Sequence, residues 1–145
     1  MILFSSALEA ILENKIIMNK LVIDVVSEKI FLMIITKDDI YNITEDNTKN
    51  NYEKLTLIIK NFLNLNSLKI EDINKIYVNR GPGSFAGIRN SLSLVKAFNV
   101  SRKIDYYCYS FDDFKDQKAL KYEDIPNLCE KFKMKKNLIK PIYLS

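Results

Sequence analysis

Residues 76–99 read IYVNRGPGSFAGIRNSLSLVKAFN, and this stretch predicts a strand, a tight turn and a helix in direct succession. The run Ile76-Tyr77-Val78 has the length and the β-branched and aromatic character of a buried strand. Two glycines and a proline follow, which is typical of a sharp turn. Ser84 is placed to cap the helix. The helix itself is indicated by apolar residues at helical spacing: Phe85, Ile88, Leu92, Val95 and Phe98.

The turn, Arg80-Gly81-Pro82-Gly83-Ser84, supports two interpretations. Closely spaced glycines before a helix N-terminus expose backbone N–H groups and the positive end of the helix dipole, which suits a phosphate. The same residues also let a strand turn sharply into a closely packed helix. The turn lacks the lysine of a P-loop and does not match G-x-G-x-x-G, so close packing is the favoured interpretation. Arg80 and Arg89 flank the turn and would either bind an anion or acidic partner or remain solvated.

The rest of the chain predicts an antiparallel meander followed by alternating helices and strands. This order is typical of a mixed sheet with helices packed on it. The predicted strands are 21–26, 30–36, 40–43, 76–78 and 104–109, and residues 44–51 are predicted to be a loop. One helix is predicted at 52–65, a second begins at Phe85, and a third runs from 111 to about 120 with Ser110 as its cap.

The helix predicted from Tyr52 to Leu65 is apolar on more than one side. Leu55, Ile59 and Phe62 belong to its main stripe, whereas Leu57 and Leu65 lie off that stripe. Such a helix must bury against more than the sheet, or against a partner.

The composition limits the chemistry that this chain can perform alone. At 145 residues, with 48% apolar residues and a net charge of +4, the chain fits one ordinary domain or one domain with a small appendage. It contains no histidine, which excludes catalysis by a histidine base and zinc sites that need histidine. Cys108 and Cys129 have no metal-ligand spacing and are interpreted as reduced thiols of a cytosolic protein. No stretch is long and apolar enough to span a bilayer.

Two further features leave alternatives open. Asp24, inside the first predicted strand, would hold a metal–nucleotide complex through water or would be a capped or edge carboxylate. Five lysines between Lys131 and Lys140 would contact RNA through its phosphates or form a solvated face.

The segment 80–89, RGPGSFAGIR, resembles the G-R-G-P-G-S-F-T-G-[LV]-R signature of the TsaB (YeaZ) family. The segment 21–24, LVID, is similar to the opening L-A-I-D-T-[AS] strand of that family. The resemblance covers roughly residues 20–120. Asn79 and Ala86 depart from the usual Gly and Thr of the signature, and Val25-Val26 replaces the residues that carry hydroxyl groups near a potential phosphate site. The family's second domain is reduced here to about 25 residues, although Lys140-Pro141-Ile142-Tyr143-Leu144 is similar to its closing segment.

The resemblance implies an α/β fold, namely a ribonuclease H-like or actin-like (ASKHA) half-fold with a mixed five-stranded sheet and flanking helices. It also implies three segments: an N-terminal extension at 1–17, an ASKHA-like domain at 18–120 and a remnant of the second domain at 121–145. Met18 is an alternative start of the protein, and the other interpretation of 1–17 is a short amphipathic helix.

The resemblance further implies a cytoplasmic, non-catalytic subunit in the synthesis of tRNA threonylcarbamoyladenosine (t6A). Such a subunit supports a catalytic TsaD-like protein that transfers threonylcarbamoyl to adenosine 37 of tRNAs that read ANN codons. ATP and metal are then expected on the partner subunit and none on this chain alone. A TsaE-like ATPase is a further expected partner, while direct contact with tRNA and homodimerisation are left open.

The site residues expected from this interpretation fall into two sets. The partner interface comprises Tyr52, Leu55, Ile59, Phe62, Phe85 and Leu92, and the signature turn comprises Arg80, Gly81, Pro82, Gly83, Ser84, Phe85, Gly87 and Arg89. No catalytic or metal-binding residue is expected. The main alternative is a nucleotide-binding enzyme or regulator that uses 81–84 as a phosphate cradle. A peptidase is not supported, because the sequence offers no pair of nucleophile and base.

Overall fold

A computed structural model describes residues 18–48, 51, 53–115, 117 and 120–144. The predictions for 1–17 and for Tyr52 lie outside these residues. The strands are β1 (Lys20–Asp24), β2 (Lys29–Ile35), β3 (Ile40–Asp46), β4 (Lys75–Asn79) and β5 (Asp105–Tyr109), and the helices are α1 (Leu55–Leu65), α2 (Phe85–Arg102) and α3 (Ile125–Lys131).

The five strands form one mixed sheet in the order β3-β2-β1-β4-β5. β1 pairs antiparallel with β2, and β2 pairs antiparallel with β3, as expected for strands joined by short turns. β4 lies parallel to both β1 and β5 because a helix intervenes before each parallel partner. The mixed five-stranded sheet with flanking helices that the sequence predicts is therefore confirmed.

One face of the sheet is covered by α1 and α2. Alternate strand residues such as Ile23, Leu32 and Val78 pack there against the stripes of both helices. The stripe of α1 that the sequence predicts, Leu55, Ile58, Ile59, Phe62 and Leu63, is entirely buried in this layer.

The opposite face is covered by α3 and by the 3₁₀ turn Phe111–Phe114. Val22, Met33 and Tyr77 of the strands pack there with Phe114 and Ile125. The segment that follows β5 thus belongs to the same fold as the sheet, because it buries the second face.

Two predicted elements have other bounds in the structure. β3 continues to Asp46, because residues 44–46 pair with β2 and Lys29 forms an ion pair with Asp46, whereas the sequence predicts a loop there. The helix predicted from Phe111 is a single 3₁₀ turn to Phe114, in which Ser110 accepts a hydrogen bond from the Asp112 N–H, so its predicted capping role is confirmed.

The helix α3 is an element that the sequence pattern does not predict, because Pro126 indicates a break in any long helix. Pro126 lies instead in the first turn of α3, where proline costs no hydrogen bond. Within the described part of the chain, no helix is long and apolar enough to cross a membrane.

Candidate functional site

The turn between β4 and α2 is closed against two other segments of the chain. Gly81 has φ +115°, and a Cβ atom there would lie 2.1 Å from the Ile142 carbonyl oxygen. At Gly83 a Cβ atom would lie 2.3 Å from the Val26 carbonyl oxygen. Both contacts are with backbone atoms, so side chains are excluded at these two positions. The glycines therefore allow the turn to approach the β1–β2 connection on one side and, on the other, the segment after α3 (residues 132–144, the C-terminal segment).

Several N–H groups of the turn already donate within the chain. Arg80 donates to the Tyr109 carbonyl at 2.7 Å, Gly81 to the Asn79 side-chain oxygen at 2.9 Å, and Ser84 to the Val26 carbonyl at 3.0 Å. The carbonyl of Arg80 accepts from Ile142 at 2.7 Å. A phosphate cradle needs N–H groups that converge on a ligand, so this geometry favours close packing of the turn over phosphate binding.

The two arginines that flank the turn have different environments. Arg80 is buried and forms an ion pair with Asp113, with 2.6 Å between Nη2 and Oδ1, and its Nη1 donates to the Lys140 carbonyl at 3.3 Å. Arg89 is exposed, and its guanidinium lies 5.9 Å from the centre of the Phe85 ring. Arg80 therefore ties the turn to the 3₁₀ segment and the C-terminal segment, whereas only Arg89 faces outward.

Asp24 lies at the carboxyl end of β1, beside the carboxyl end of β4. In sheets with parallel strands, ligands commonly bind in the crevice at this edge. Here the Asp24 carboxylate accepts hydrogen bonds from the Tyr122 hydroxyl at 2.6 Å, from the Asn79 amide at 3.0 Å and from the Val26 N–H at 3.2 Å. The carboxylate is thus held by the chain itself, as in the capped-carboxylate alternative.

Aromatic side chains cover this edge of the sheet. Tyr122 stacks on Phe31 with ring centres 4.0 Å apart, and Phe111 packs edge-on against Tyr122. Burial and the neighbouring Asp24 carboxylate raise the pKa of Tyr122, so the hydroxyl stays protonated and donates. Among the described residues, no group of three histidine, cysteine, aspartate or glutamate side chains is arranged to hold a metal ion. The crevice that would take a nucleotide is therefore filled by side chains of this chain.

The interface predicted on the two helices needs correction. Leu55, Ile59, Phe62 and Leu92 are buried against the sheet, because the stripe with helical spacing is the face that packs on the core. They do not present a surface to a partner. Phe85 is exposed as expected, and its ring lies 4.7 Å from that of Tyr143.

The apolar residues that the two helices do expose differ from those that the sequence predicts for the interface. Leu57 is 52% exposed and Leu65 81% exposed on α1, while Val100 is 73% exposed on α2. Between the helices runs a groove of about 470 Å³, floored by Ile59, Leu63 and Phe98. The outer surface of α1 and α2 therefore combines solvent-exposed apolar side chains with a depression.

Both thiols are buried and free. Burial raises the pKa of Cys108 to about 11 and that of Cys129 to about 12. The predicted reduced state of both residues agrees with this structure, and neither thiol is activated as a nucleophile.

The sequence does not predict the roles of Tyr122 and Asp113, which contact Asp24 and Arg80 at the carboxyl ends of β1 and β4. The hydrogen bond from Tyr122 to Asp24 spans 98 positions, and no local pattern reports such a contact. For the helix surface a signal is present, because Leu57 and Leu65 lie off the main stripe of α1.

Comparisons with known proteins agree with the signature turn. A family model described as "TsaD: tRNA N6-adenosine threonylcarbamoyltransferase" matches residues 42–110. The tRNA threonylcarbamoyladenosine biosynthesis protein TsaB of Buchnera aphidicola subsp. Schizaphis graminum (strain Sg) is 29% identical over 99 residues, which cover 68% of this chain and 47% of the relative. The chain thus spans about half the length of this relative.

Two solved structures share the fold. YeaZ from Pseudomonas aeruginosa matches with a TM-score of 0.60 and 17% identity, over 64% of this chain and 44% of YeaZ. A protein with similarity to peptidase YEAZ from Pseudomonas aeruginosa matches with a TM-score of 0.60 and 17% identity, over 64% of this chain and 43% of its own. Taken with the turn at 80–89, these matches show that the chain is similar in sequence to a TsaB protein and shares its fold with YeaZ.

Proposed function

We propose that this chain is a non-catalytic subunit that binds a TsaD-like protein and supports its transfer of threonylcarbamoyl to adenosine 37 of ANN-decoding tRNAs. The similarity to TsaB and the match to the TsaD family model support a role in the synthesis of t6A. Two structural observations support the assignment to a supporting subunit. The crevice at the carboxyl ends of β1 and β4 is filled by Tyr122 and Phe31, while the surface of α1 and α2 exposes apolar side chains.

A catalyst of group transfer needs space for a substrate beside its reactive groups, and a binding subunit needs an apolar surface. In the described part of the chain, the carboxyl edge of the sheet offers a carboxylate that is already bound by three donors. ATP and metal are accordingly proposed to act on the partner subunit. A TsaE-like ATPase is a further proposed member of the complex.

The proposed interface is the outer surface of α1 and α2, with Leu57, Leu65 and Val100 as its apolar contacts. Exposed apolar side chains are typical anchors of protein interfaces. Phe85 is a further exposed apolar side chain, at the start of α2, where Arg89 lies over its ring. Ile59 contributes only through the groove floor, since it is 1% exposed.

Co-elution with the cognate TsaD-like protein in size-exclusion chromatography tests this interface. The variant Leu57→Asp/Leu65→Asp places two charges in the proposed contact and should weaken the complex at least about tenfold, because buried charges without partners are costly. Leu138→Asp is the matched control, since Leu138 is 46% exposed in the C-terminal segment and lies outside both helices. If the double variant co-elutes like the wild type, or the control fails to co-elute, the interface is wrong.

A further inference from the structure

A second cavity lies at the opposite edge of the sheet, at the amino ends of β1 and β4. It has a volume of about 400 Å³ and lies between the sheet and α3. Lys20 and Lys75, the first residues of the two strands, line it together with Lys133, Glu130 and the rings of Tyr77 and Tyr107. Its volume falls in the range of sites that hold small molecules or parts of larger ligands.

The two strand lysines stand side by side on one face of the sheet. Lys20 is the register partner of Lys75 in the parallel pairing of β1 with β4. Like charges on neighbouring strands repel each other. Burial and the neighbouring Lys75 lower the pKa of Lys20, and Glu130 only partly offsets this. Glu130 and Asp105, which is the register partner of Lys75 on β5, therefore balance only part of the positive charge at this edge.

Neither strand lysine forms an ion pair with a carboxylate, although Asp105 lies opposite Lys75 on β5 and attracts it. The ion pairs among the described residues join Lys29 with Asp46, Arg80 with Asp113, Arg102 with Glu71 and Lys136 with Asp105. Lys20, Lys75 and Lys133 take part in none of these pairs. With Glu130 as the single acid in the lining, the cavity carries an excess of two positive charges. An anion is the ligand that would relieve this excess.

The positive surface continues beyond the cavity. The end of α3 and the segment after it carry Lys131, Lys135, Lys136 and Lys140, and the sequence has no acidic residue from 131 to 145. A small phosphate compound would use the cavity alone, whereas a polyanion would also use these exposed lysines. The arrangement therefore favours a nucleic acid backbone over a free phosphate.

We infer that Lys20, Lys75 and Lys133 form a phosphate-binding site for the RNA backbone at the amino edge of the sheet. This inference rests on the proposed function, which makes tRNA the substrate of the complex. The site faces away from α1 and α2, because it lies on the α3 side of the sheet. One chain can therefore contact RNA and a protein partner at the same time.

Fluorescence anisotropy of a labelled ANN-decoding tRNA transcript, titrated with the full chain between about 50 and 200 mM KCl, tests the site. The variant Lys75→Gln/Lys133→Gln should bind at least about tenfold more weakly and show a salt slope that is smaller by about 1 to 2. Lys37→Gln/Lys96→Gln removes the same charge from positions elsewhere on the chain and should change the affinity less than about threefold.

Three results would overturn the inference: no binding by the wild type, equal losses in the two double variants, or titration of inorganic phosphate that saturates the cavity while RNA does not bind. Thermal melting must show both variants folded. If the cavity variant unfolds, Lys131→Gln/Lys135→Gln, which changes only exposed lysines, must weaken tRNA binding in the same direction or the inference fails.

Co-elution with the TsaD-like protein separates this inference from the proposed function. The cavity variant should co-elute like the wild type, since its changes lie on the other face of the sheet. Loss of tRNA binding with co-elution intact supports the site. Absence of co-elution in the wild type contradicts the proposed function, whereas the anisotropy experiment still decides whether the RNA site exists.

Discussion

Gly81 and Gly83 fix the position of α2 because they let backbone atoms of distant segments come close to the turn. A methyl group at either position would meet a carbonyl oxygen first, that of Ile142 at Gly81 and that of Val26 at Gly83. These oxygens belong to the C-terminal segment and to the β1–β2 connection. The glycine pattern that this chain shares with the TsaB (YeaZ) signature is thus explained by contacts within the chain.

Replacement of Gly83 by alanine should destabilise the fold by about 1 to 3 kcal/mol, because the new methyl group must displace the Val26 backbone. Urea denaturation measures this as a lower midpoint. Ala86→Ser, at an exposed position in the first turn of α2, should change the free energy of unfolding by less than about 0.5 kcal/mol. Equal midpoints for Gly83→Ala and the wild type would contradict the close contact.

Because of the buried thiols, the stability of the fold should change with pH in the alkaline range. Burial raises the pKa of Cys108 from 9.0 to about 11 and that of Cys129 from 9.0 to about 12. The unfolded chain therefore loses these protons first, so their stabilising contribution is complete below about pH 9 and decreases as the pH rises above it. We expect the two thiols alone to lower the free energy of unfolding by about 2 to 3 kcal/mol between pH 7.5 and 10.

Urea denaturation at the two pH values measures this decrease. The variant Cys108→Ala/Cys129→Ala should lose the part of the decrease that comes from the thiols, although its stability at pH 7.5 is lower because both thiols pack in the core. A smaller decrease should remain, because burial also raises the pKa of Tyr77, Tyr109 and Tyr122. A wild-type midpoint that stays the same from pH 7.5 to 10 would show that the thiols are not buried as described.

In β1 and in α1, the sequence predicts an element correctly, but the structure gives its residues a different role. Asp24, at the end of β1, has the position of a ligand-binding carboxylate and is instead held by Asn79 and Tyr122. The stripe of α1 is confirmed as helical, yet it faces the core and not a partner. A periodic pattern therefore predicts that a face is buried and does not say which neighbour buries it.

Calorimetry with ATP and with ADP tests whether the edge at Asp24 is closed. We expect no measurable heat of binding, because Tyr122 and Phe31 fill the crevice and Arg80, Gly81 and Ser84 donate their N–H groups within the chain. The variant Tyr122→Ala opens the edge and serves as a comparison. Binding of ATP by the wild type, with stoichiometry near one, would favour the alternative of a nucleotide-binding protein.

At the scale of the whole molecule, the sheet and its two large helices can be predicted because each strand is a short apolar run and each helix has a regular stripe. The prediction for the edge strand β3 is too short, since residues 44–46 are polar and are held in the sheet by pairing with β2. The closure of the carboxyl edge cannot be predicted, because it depends on contacts such as Tyr122 with Asp24 that join distant segments.

The division into 18–120 and 121–145 stays a prediction about ancestry. In the structure, α3 and the segment after it pack on the sheet, and Tyr143 pairs with Gly83. Under the proposed function, a partner surface on one face and an RNA site on the other would let this chain support a catalytic protein.

The most direct test is the formation of t6A in a reaction reconstituted from the TsaD-like protein, its TsaE-like ATPase, a threonylcarbamoyl donor and an ANN-decoding tRNA. The proposal predicts that t6A accumulates only when this chain is added, that the chain alone forms none, and that Leu57→Asp/Leu65→Asp lowers the yield while Leu138→Asp does not. Equal t6A formation with and without the chain, or formation by the chain alone, would contradict the proposed role of a supporting subunit.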